Sequence, residues 1–184
     1  RDFKEVIEIS KDSTSMMNRL RGSGILDPQI GADHGVVGVA AKALGMPKDA
    51  RIDYPYAAYA NLKLNIHLEN TGDVMARFLV RVEEVYTSID LIKQAINKLT
   101  PGIIRSKLKQ FKKSAIAVSI SEGWRGDIVY VVMTDNQGEV SRVVFRDPSF
   151  LNWPAVPYAV AGNPVPEFPL INKSFNLSYS GADK

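Results

Sequence analysis

The chain contains no cysteine. That excludes disulfides and any metal site built on thiolates. Histidine is almost as scarce. His34 and His67 stand alone, with no metal-ligand spacing, and structural or surface roles are expected of both. No G-x-G-x-x-G loop is present, so the usual dinucleotide cradle is missing. No run approaches the roughly 20 apolar residues that would span a bilayer. The start, Arg1-Asp2-Phe3-Lys4-Glu5, is polar and reads as no secretory leader. It also lacks an initiator Met, and a longer parent chain is expected. Charge of one sign is not in excess: the net is +3, with a pI near 9.1. That is a weak basis for binding nucleic acid, and no such partner is expected.

What is present suits one domain or two small ones. The 184 residues are 45% hydrophobic and 23% charged, ordinary values for a globular chain. Phe3, Val6, Ile7, Ile9, Met16, Met17 and Leu20 predict one helix up to Gly22-Ser23-Gly24. Asp27-Pro28 predicts a turn. A short helix is expected from Val36 to Leu44, stopped by Gly45 and Pro47. Residues 46–72 read as irregular, anchored by tyrosines.

The clearest pattern runs from Asp73 to Leu99. Val74, Phe78, Val82, Val85, Ile89, Ile92, Ile96 and Leu99 recur at helical spacing and predict a long helix with a buried face, packed as a bundle. Thr71 or Asp73 would cap it, and Pro101-Gly102 would end it. Within it, Arg77 has Asp73 or Glu84 in reach on adjacent turns. Residues 103–113 carry Arg105, Lys107, Lys109, Lys112 and Lys113 and read as a solvated basic linker. The period then becomes two. Strands are expected at Ala115–Ile120, Asp127–Met133 and Val140–Phe145, with a hairpin turn at Asp135-Asn136-Gln137-Gly138. The proline-rich tail from Pro148 should be mostly loop with short helical pieces.

Several stretches carry a resemblance. They are Gly38-Val39-Ala40-Ala41-Lys42-Ala43-Leu44-Gly45, residues 49–59 (Asp49 to Tyr59), and Gly72-Asp73 with Arg77, Arg81 and Glu84. After them come Glu122-Gly123-Trp124-Arg125-Gly126 and Pro148-Ser149-Phe150-Leu151-Asn152-Trp153-Pro154. The chain closes on Asn176-Leu177-Ser178-Tyr179-Ser180-Gly181-Ala182-Asp183-Lys184. In this order they resemble the C-terminal half of a large subunit. It is the one shared by respiratory complex I, as its 49-kDa subunit, and by the membrane-bound nickel–iron hydrogenases, including formate hydrogenlyase. The ending resembles the hydrogenase signature D-P-C-x-x-C-x-x-R with both cysteines replaced, by Ser178 and Gly181. A serine hydroxyl is a hard, protonated ligand and glycine offers none, so no metal is expected in this chain. The earlier motif departs too: the family's G-P-x-x-R-A-S-G has Val39, Lys42 and Leu44 here.

The resemblance implies an α+β fold, a long-helix bundle with a small antiparallel β-sheet. It implies one hydrogenase/complex I large-subunit-like domain: helical over 1–102, a basic linker at 103–113, and a β-hairpin region with C-terminal tail over 114–184. Arg125 would stand where an arginine hangs over the metal centre in active hydrogenases. Its other reading is a salt bridge to Glu122 or Asp127. Arg51, Asp53, Tyr56 and Tyr59 would form part of a cavity wall, or else a loop packed by its tyrosines. The expected function is that of a large-subunit component of a membrane-associated oxidoreductase. Its electrons would pass from iron–sulfur clusters to quinone or another acceptor, coupled to ion translocation. No cofactor is expected in this chain. The expected partners are a small iron–sulfur subunit and a membrane arm, with the chain peripheral on the cytoplasmic face. The alternatives are a fragment of an active nickel–iron hydrogenase and a non-redox scaffold.

Overall fold

The computed structural model describes residues 2–107 and 110–182. Lys109 of the basic segment, Asp183 and Lys184 of the ending, and Arg1 lie outside the described residues.

Aspartates and prolines set most helix starts. α1 spans Asp2–Asp12 and α2 spans Thr14–Leu20. The single helix expected here is split, because the Ser13 hydroxyl accepts from the Met16 N–H (3.4 Å) and starts a new helix. Asp27-Pro28 opens a helix rather than a simple turn: α3 covers Pro28–Asp33, with Asp27 Oδ1 accepting from Gln29 N (2.7 Å). α4 spans Gly38–Lys42 and α5 spans Ala50–Asp53. α6 is the long helix, Val74–Lys98, 25 residues and therefore about 38 Å. Asp73 caps it. Its Oδ1 accepts from Ala76 N (2.8 Å) and Thr71 Oγ1 (2.8 Å), and its Oδ2 ties down Gly22 N (2.8 Å).

The sheet is three-stranded and antiparallel: β1 Ile116–Gly123, β2 Gly126–Thr134 and β3 Val140–Arg146, in that order. Gly123 faces Gly126, so Trp124 and Arg125 form a two-residue hairpin tip. Asp135 Oδ1 closes the second hairpin by accepting from Gln137 N and Glu139 N, both at 2.9 Å. The tail is more helical than expected. α7 spans Pro148–Asn152, α8 Val156–Val160 and α9 Phe168–Phe175, with 3-10 turns at Trp153–Ala155 and Val165–Glu167. Asp147-Pro148 repeats the capped Asp-Pro start, with Asp147 Oδ1 accepting from Ser149 N (2.7 Å).

The core gathers Met17, Leu20, Leu26, Leu44, Val74, Met75, Val156, Ile171 and Phe175. It wraps the N-terminal half of α6 in short helices. The buried face expected along the whole helix stops partway: Ile92, Ile96 and Leu99 are 58, 65 and 80% exposed. Among the described residues α6 is the single long helix, and the short α2, α4 and α9 pack against it. This is a mixed α+β fold with one long helix and a small sheet. A bundle of long helices is not formed within these residues.

Candidate functional site

Two polar regions hold the residues that the sequence singled out. The first is the corner where the hairpin tip meets the closing segment. Gly38, at φ +62°, lets the tip approach: a β-carbon there would lie 2.3 Å from the Arg125 carbonyl oxygen. Asn152 Nδ2 donates to that same oxygen (3.3 Å) and Asn152 Oδ1 accepts from Val37 N (2.9 Å). Half-buried Arg125 does not pair with Glu122 or Asp127, the carboxylates expected of it. Its Nε donates to the backbone oxygen of Asn176. Asp127 is taken by Arg146 across the sheet, and Glu122 turns toward Lys42. Asn176 itself sits in the left-handed region (φ +54°) as the C-cap of α9, a conformation asparagine tolerates.

Ser178 is committed to holding this corner shut. Its N–H donates to Ser149 Oγ (3.0 Å) and its carbonyl accepts from Trp153 Nε1 (2.9 Å). Its hydroxyl accepts from Gly181 N (3.1 Å) and meets Ser180 Oγ at 3.2 Å. A β-carbon on Gly181 would lie 2.6 Å from Asp147 Cγ. Asp147 is held in place as the cap of α7, so the space a cysteine side chain would need is already filled by a carboxylate. The two degenerate ligand positions therefore do not fit a thiolate-bound nickel ion. Among the described residues, no three His, Asp or Glu side chains converge as metal ligands.

The second region is a buried charge cluster that sequence reasoning did not assemble. Lys42, 1% exposed, projects from α4. Its Nζ lies 2.8 Å from Asp49 Oδ2, 2.7 Å from Glu84 Oε1 and 3.7 Å from Glu122 Oε1. Arg51 clamps Asp49 in fork geometry, Nε to Oδ1 at 2.8 Å and a terminal nitrogen to Oδ2 at 2.6 Å. Glu122 Oε2 accepts from Ala50 N (2.9 Å), and Glu122 N donates to the Tyr56 hydroxyl (3.1 Å). Four separated segments thus meet: α4, α5 with its cap, α6 and β1. Their only signal in the sequence was charged residues inside otherwise apolar elements.

The electrostatics follow from three carboxylates around Lys42 and Arg51, with Arg81 acting on Glu84 from the same helix. Burial works against the Asp49 carboxylate, yet Arg51 and Lys42 overcome it and hold its pKa at about 2. Burial likewise opposes the Lys42 ammonium, but Glu84 and Asp49 outweigh it and raise its pKa. For Glu122 burial wins: the carboxyl is pushed up to about 7.

The expected cavity wall is divided. Arg51 and Tyr59 line a groove of about 350 Å³ beside Ser88, Leu91 and Ile92 of α6. Asp53 lines a separate cavity of about 240 Å³, together with Glu122 and Asp127. Tyr56 packs edge-on against Tyr59 at 4.9 Å. His34 stacks near Tyr158 (5.1 Å) and His67 meets Glu69 (2.8 Å). Among the described residues, Arg77 reaches no carboxylate within ion-pair distance. Fully buried, it donates to Gly72 O (2.7 Å), Gly24 O (2.8 Å) and Ser174 Oγ (2.8 Å), over the Phe175 ring at 4.1 Å. Burial pushes its pKa down to about 9. Arg81 donates to Ser174 O (2.5 Å) and Phe175 O (3.1 Å), a cation on the C-terminus of α9.

Comparison with known proteins agrees with these motifs. Residues 1–119 match the family model of the respiratory-chain NADH dehydrogenase 49 Kd subunit. Formate hydrogenlyase subunit 5 of Escherichia coli is 32% identical over 184 residues, which is all of this chain and 32% of that protein. The carbon monoxide-induced hydrogenase of Rhodospirillum rubrum is 31% identical over 180 residues, 98% of this chain and 50% of that one. NADH-quinone oxidoreductase subunit 4 of Thermus thermophilus is 30% identical over 201 residues, 94% of this chain and 49% of that one. The chain thus spans a third to a half of the length of these curated relatives. The family match and the motif order converge: this chain belongs to the family of the respiratory-chain NADH dehydrogenase 49 Kd subunit, and its relatives include formate hydrogenlyase subunit 5 and hydrogenase-4 component G of Escherichia coli.

Proposed function

We propose that this chain is the C-terminal part of the large subunit of a membrane-associated oxidoreductase and supplies no nickel ligand to it. Electrons pass from iron–sulfur clusters of a small partner subunit to quinone or another acceptor, and the transfer is coupled to ion movement through a membrane arm. The chain sits peripherally on the cytoplasmic face; none of its described helices is long and apolar enough to cross a membrane. The family match and the oxidoreductase names of its relatives support this reading. The observation that carries the missing nickel is Gly181, whose side-chain space is occupied by the Asp147 carboxylate. Within such a subunit Arg125 holds a fixed positive charge at the closed corner, and Arg51, Asp53, Tyr56 and Tyr59 shape the adjoining grooves.

Metal analysis of the intact protein tests the proposal. The expected outcome is iron from a co-purifying iron–sulfur subunit and no nickel. Stoichiometric nickel, or evolution of dihydrogen, overturns it in favour of an active hydrogenase. A scaffold without redox work is favoured by one observation: the Arg125 Nε and the Ser178 hydroxyl are both spent on structural hydrogen bonds. Arg125→Ala separates the two readings. Acceptor turnover falls in the redox reading and is unchanged in the scaffold.

A further inference from the structure

We infer that the end of α6 and the basic segment after it, residues 92–107 and 110–113, form a docking surface for an anionic lipid bilayer. Charge pattern is the first observation. From Leu91 to Ser121 the chain has no Asp or Glu, while its cations there include Lys93, Lys98, Arg105, Lys107, Lys112 and Lys113. The whole chain nets only +3, so positive charge is concentrated in this stretch. Among the described residues none of these cations is in an ion pair. The carboxylates at its borders are engaged elsewhere. Asp90 accepts from Gln94 Nε2 (2.6 Å), and Asp135 accepts from the N–H groups of Gln137 and Glu139.

Apolar exposure is the second. The α6 stripe runs into solvent through Ile92, Ile96 and Leu99, and Ile103 and Ile104 follow at 95 and 101% exposure. Every described residue from Ala95 to Ser114 is exposed. A continuous uncovered apolar run of this kind marks a binding surface rather than scattered surface residues. Both of its ends are tied to the fold. Lys98 Nζ donates to the Asn61 carbonyl. Thr134 Oγ1 donates to the Lys112 carbonyl (2.6 Å), and Gln110 Nε2 to the Gln137 carbonyl (3.3 Å). Cations and isoleucines interleaved on one exposed segment suit the boundary between headgroups and acyl chains. Lipid phosphates meet the cations while the isoleucine side chains enter the acyl boundary. The backbone stays at headgroup depth, where water satisfies it, so the segment needs no regular structure. An acidic protein would answer the cations and leave the isoleucines in water. Nucleic acid would want stacking partners, and Phe111 is the one aromatic residue from Leu91 to Ser121. The choice of lipid rests on the reading of this chain as peripheral to a membrane.

Flotation of the intact protein with vesicles tests the inference. The expected result is binding to vesicles of phosphatidylcholine mixed with phosphatidylglycerol, weakened by salt, and little binding to phosphatidylcholine alone. Arg105→Gln with Lys107→Gln should lower the partition coefficient about fivefold per charge removed. Ile103→Ser with Ile104→Ser should lower it about tenfold. These four side chains are exposed and lie outside helices and strands, so the variants keep the fold, which circular dichroism checks. Lys4→Gln, on exposed α1, should leave binding unchanged. Absence of flotation with the anionic vesicles overturns the inference, and so does equal binding to phosphatidylcholine alone. Binding that falls in the charge variant but not in the isoleucine variant also overturns it, in favour of an acidic protein or nucleic acid. An equal fall in Lys4→Gln reduces the effect to overall charge and overturns it as well. Nickel in the intact protein would overturn the proposed function and leave vesicle binding where it is, so the two failures are distinct.

Discussion

At the scale of single residues, the cluster around Lys42 makes stability depend on pH in a way a surface pair would not. Glu122 has a folded pKa of about 7, above its ordinary value of 4.5. Its contribution is full below that ordinary value and is lost as pH rises through about 7. Asp49 runs the other way. Its pKa of about 2, below 3.8, gives stability that is present above 3.8 and lost as pH falls toward 2. A maximum on the acid side of neutrality is expected, and Glu122→Gln should flatten the fall above it. The slope removed is at most about 1.4 kcal/mol per pH unit, readable from urea unfolding at several pH values. Gly181 supplies a second prediction. Gly181→Ala drives a β-carbon against the Asp147 carboxylate and should cost about 1–3 kcal/mol. Ser178→Cys with Gly181→Cys should lower the melting temperature and leave the protein unable to take up cobalt(II), as followed by thiolate-to-metal absorption. Arg77 supplies a third. Arg77→Met takes a donor from the Gly24 carbonyl and the Ser174 hydroxyl, while the Gly72 carbonyl keeps the Leu26 N–H at 3.0 Å, an expected loss of about 1–3 kcal/mol. Arg77→Lys should not restore it, because an ammonium cannot reproduce the planar fork.

At the scale of elements, α6 is two helices in one. Its first half is buried among α2, α4 and α9, and its last three turns carry isoleucines into solvent. Val80→Ala, at a fully buried position, should cost about 2 kcal/mol on chemical denaturation. Ile96→Gln, at an exposed one, should change stability by less than about 0.5 kcal/mol. Asp73 carries more than an ordinary cap, since its carboxylate also holds Thr71 and the loop at Gly22. Asp73→Ala should therefore cost about 2 kcal/mol, the upper end for N-caps. The two-residue hairpin between β1 and β2 matters for a different reason: it is how Arg125 reaches the Asn176 carbonyl at the far end of the chain.

At the scale of the molecule, residues 176–181 are threaded between α7 and the hairpin tip. Ser149, Trp153 and Asp147 hold Ser178 and Gly181 from one side, while Arg125 holds Asn176 from the other. This closure and the Lys42 cluster both join the β-region to the helical region. Removing residues 176–184 should loosen both regions at once. Hydrogen exchange should report it as lost protection at the start of α7 as well as at the hairpin tip.

Much of this was legible in order and period. Residues 73–99 read as helix because apolar residues recur at three and four, with Thr71 or Asp73 as its cap; the helix is Val74–Lys98 and Asp73 is the cap. The three strands read as strands because Val118, Val131 and Val144 alternate with their neighbours, and those three proved to lie in register. The loss of two thiolates was legible residue by residue. The sequence by itself determined the long helix, the three strands, the family resemblance and the lack of cysteine, because these rest on local spacing and on residue identity. Tertiary structure alone decided which isoleucines of α6 are covered, that Arg77 is satisfied by carbonyls and a hydroxyl without a carboxylate partner among the described residues, that Arg125 binds Asn176, and that Lys42, Asp49, Glu84 and Glu122 share one buried site. Burial and ion pairing depend on which distant segments meet, and the charges of Lys42 and Glu122, 80 positions apart, carry no mark of each other along the chain.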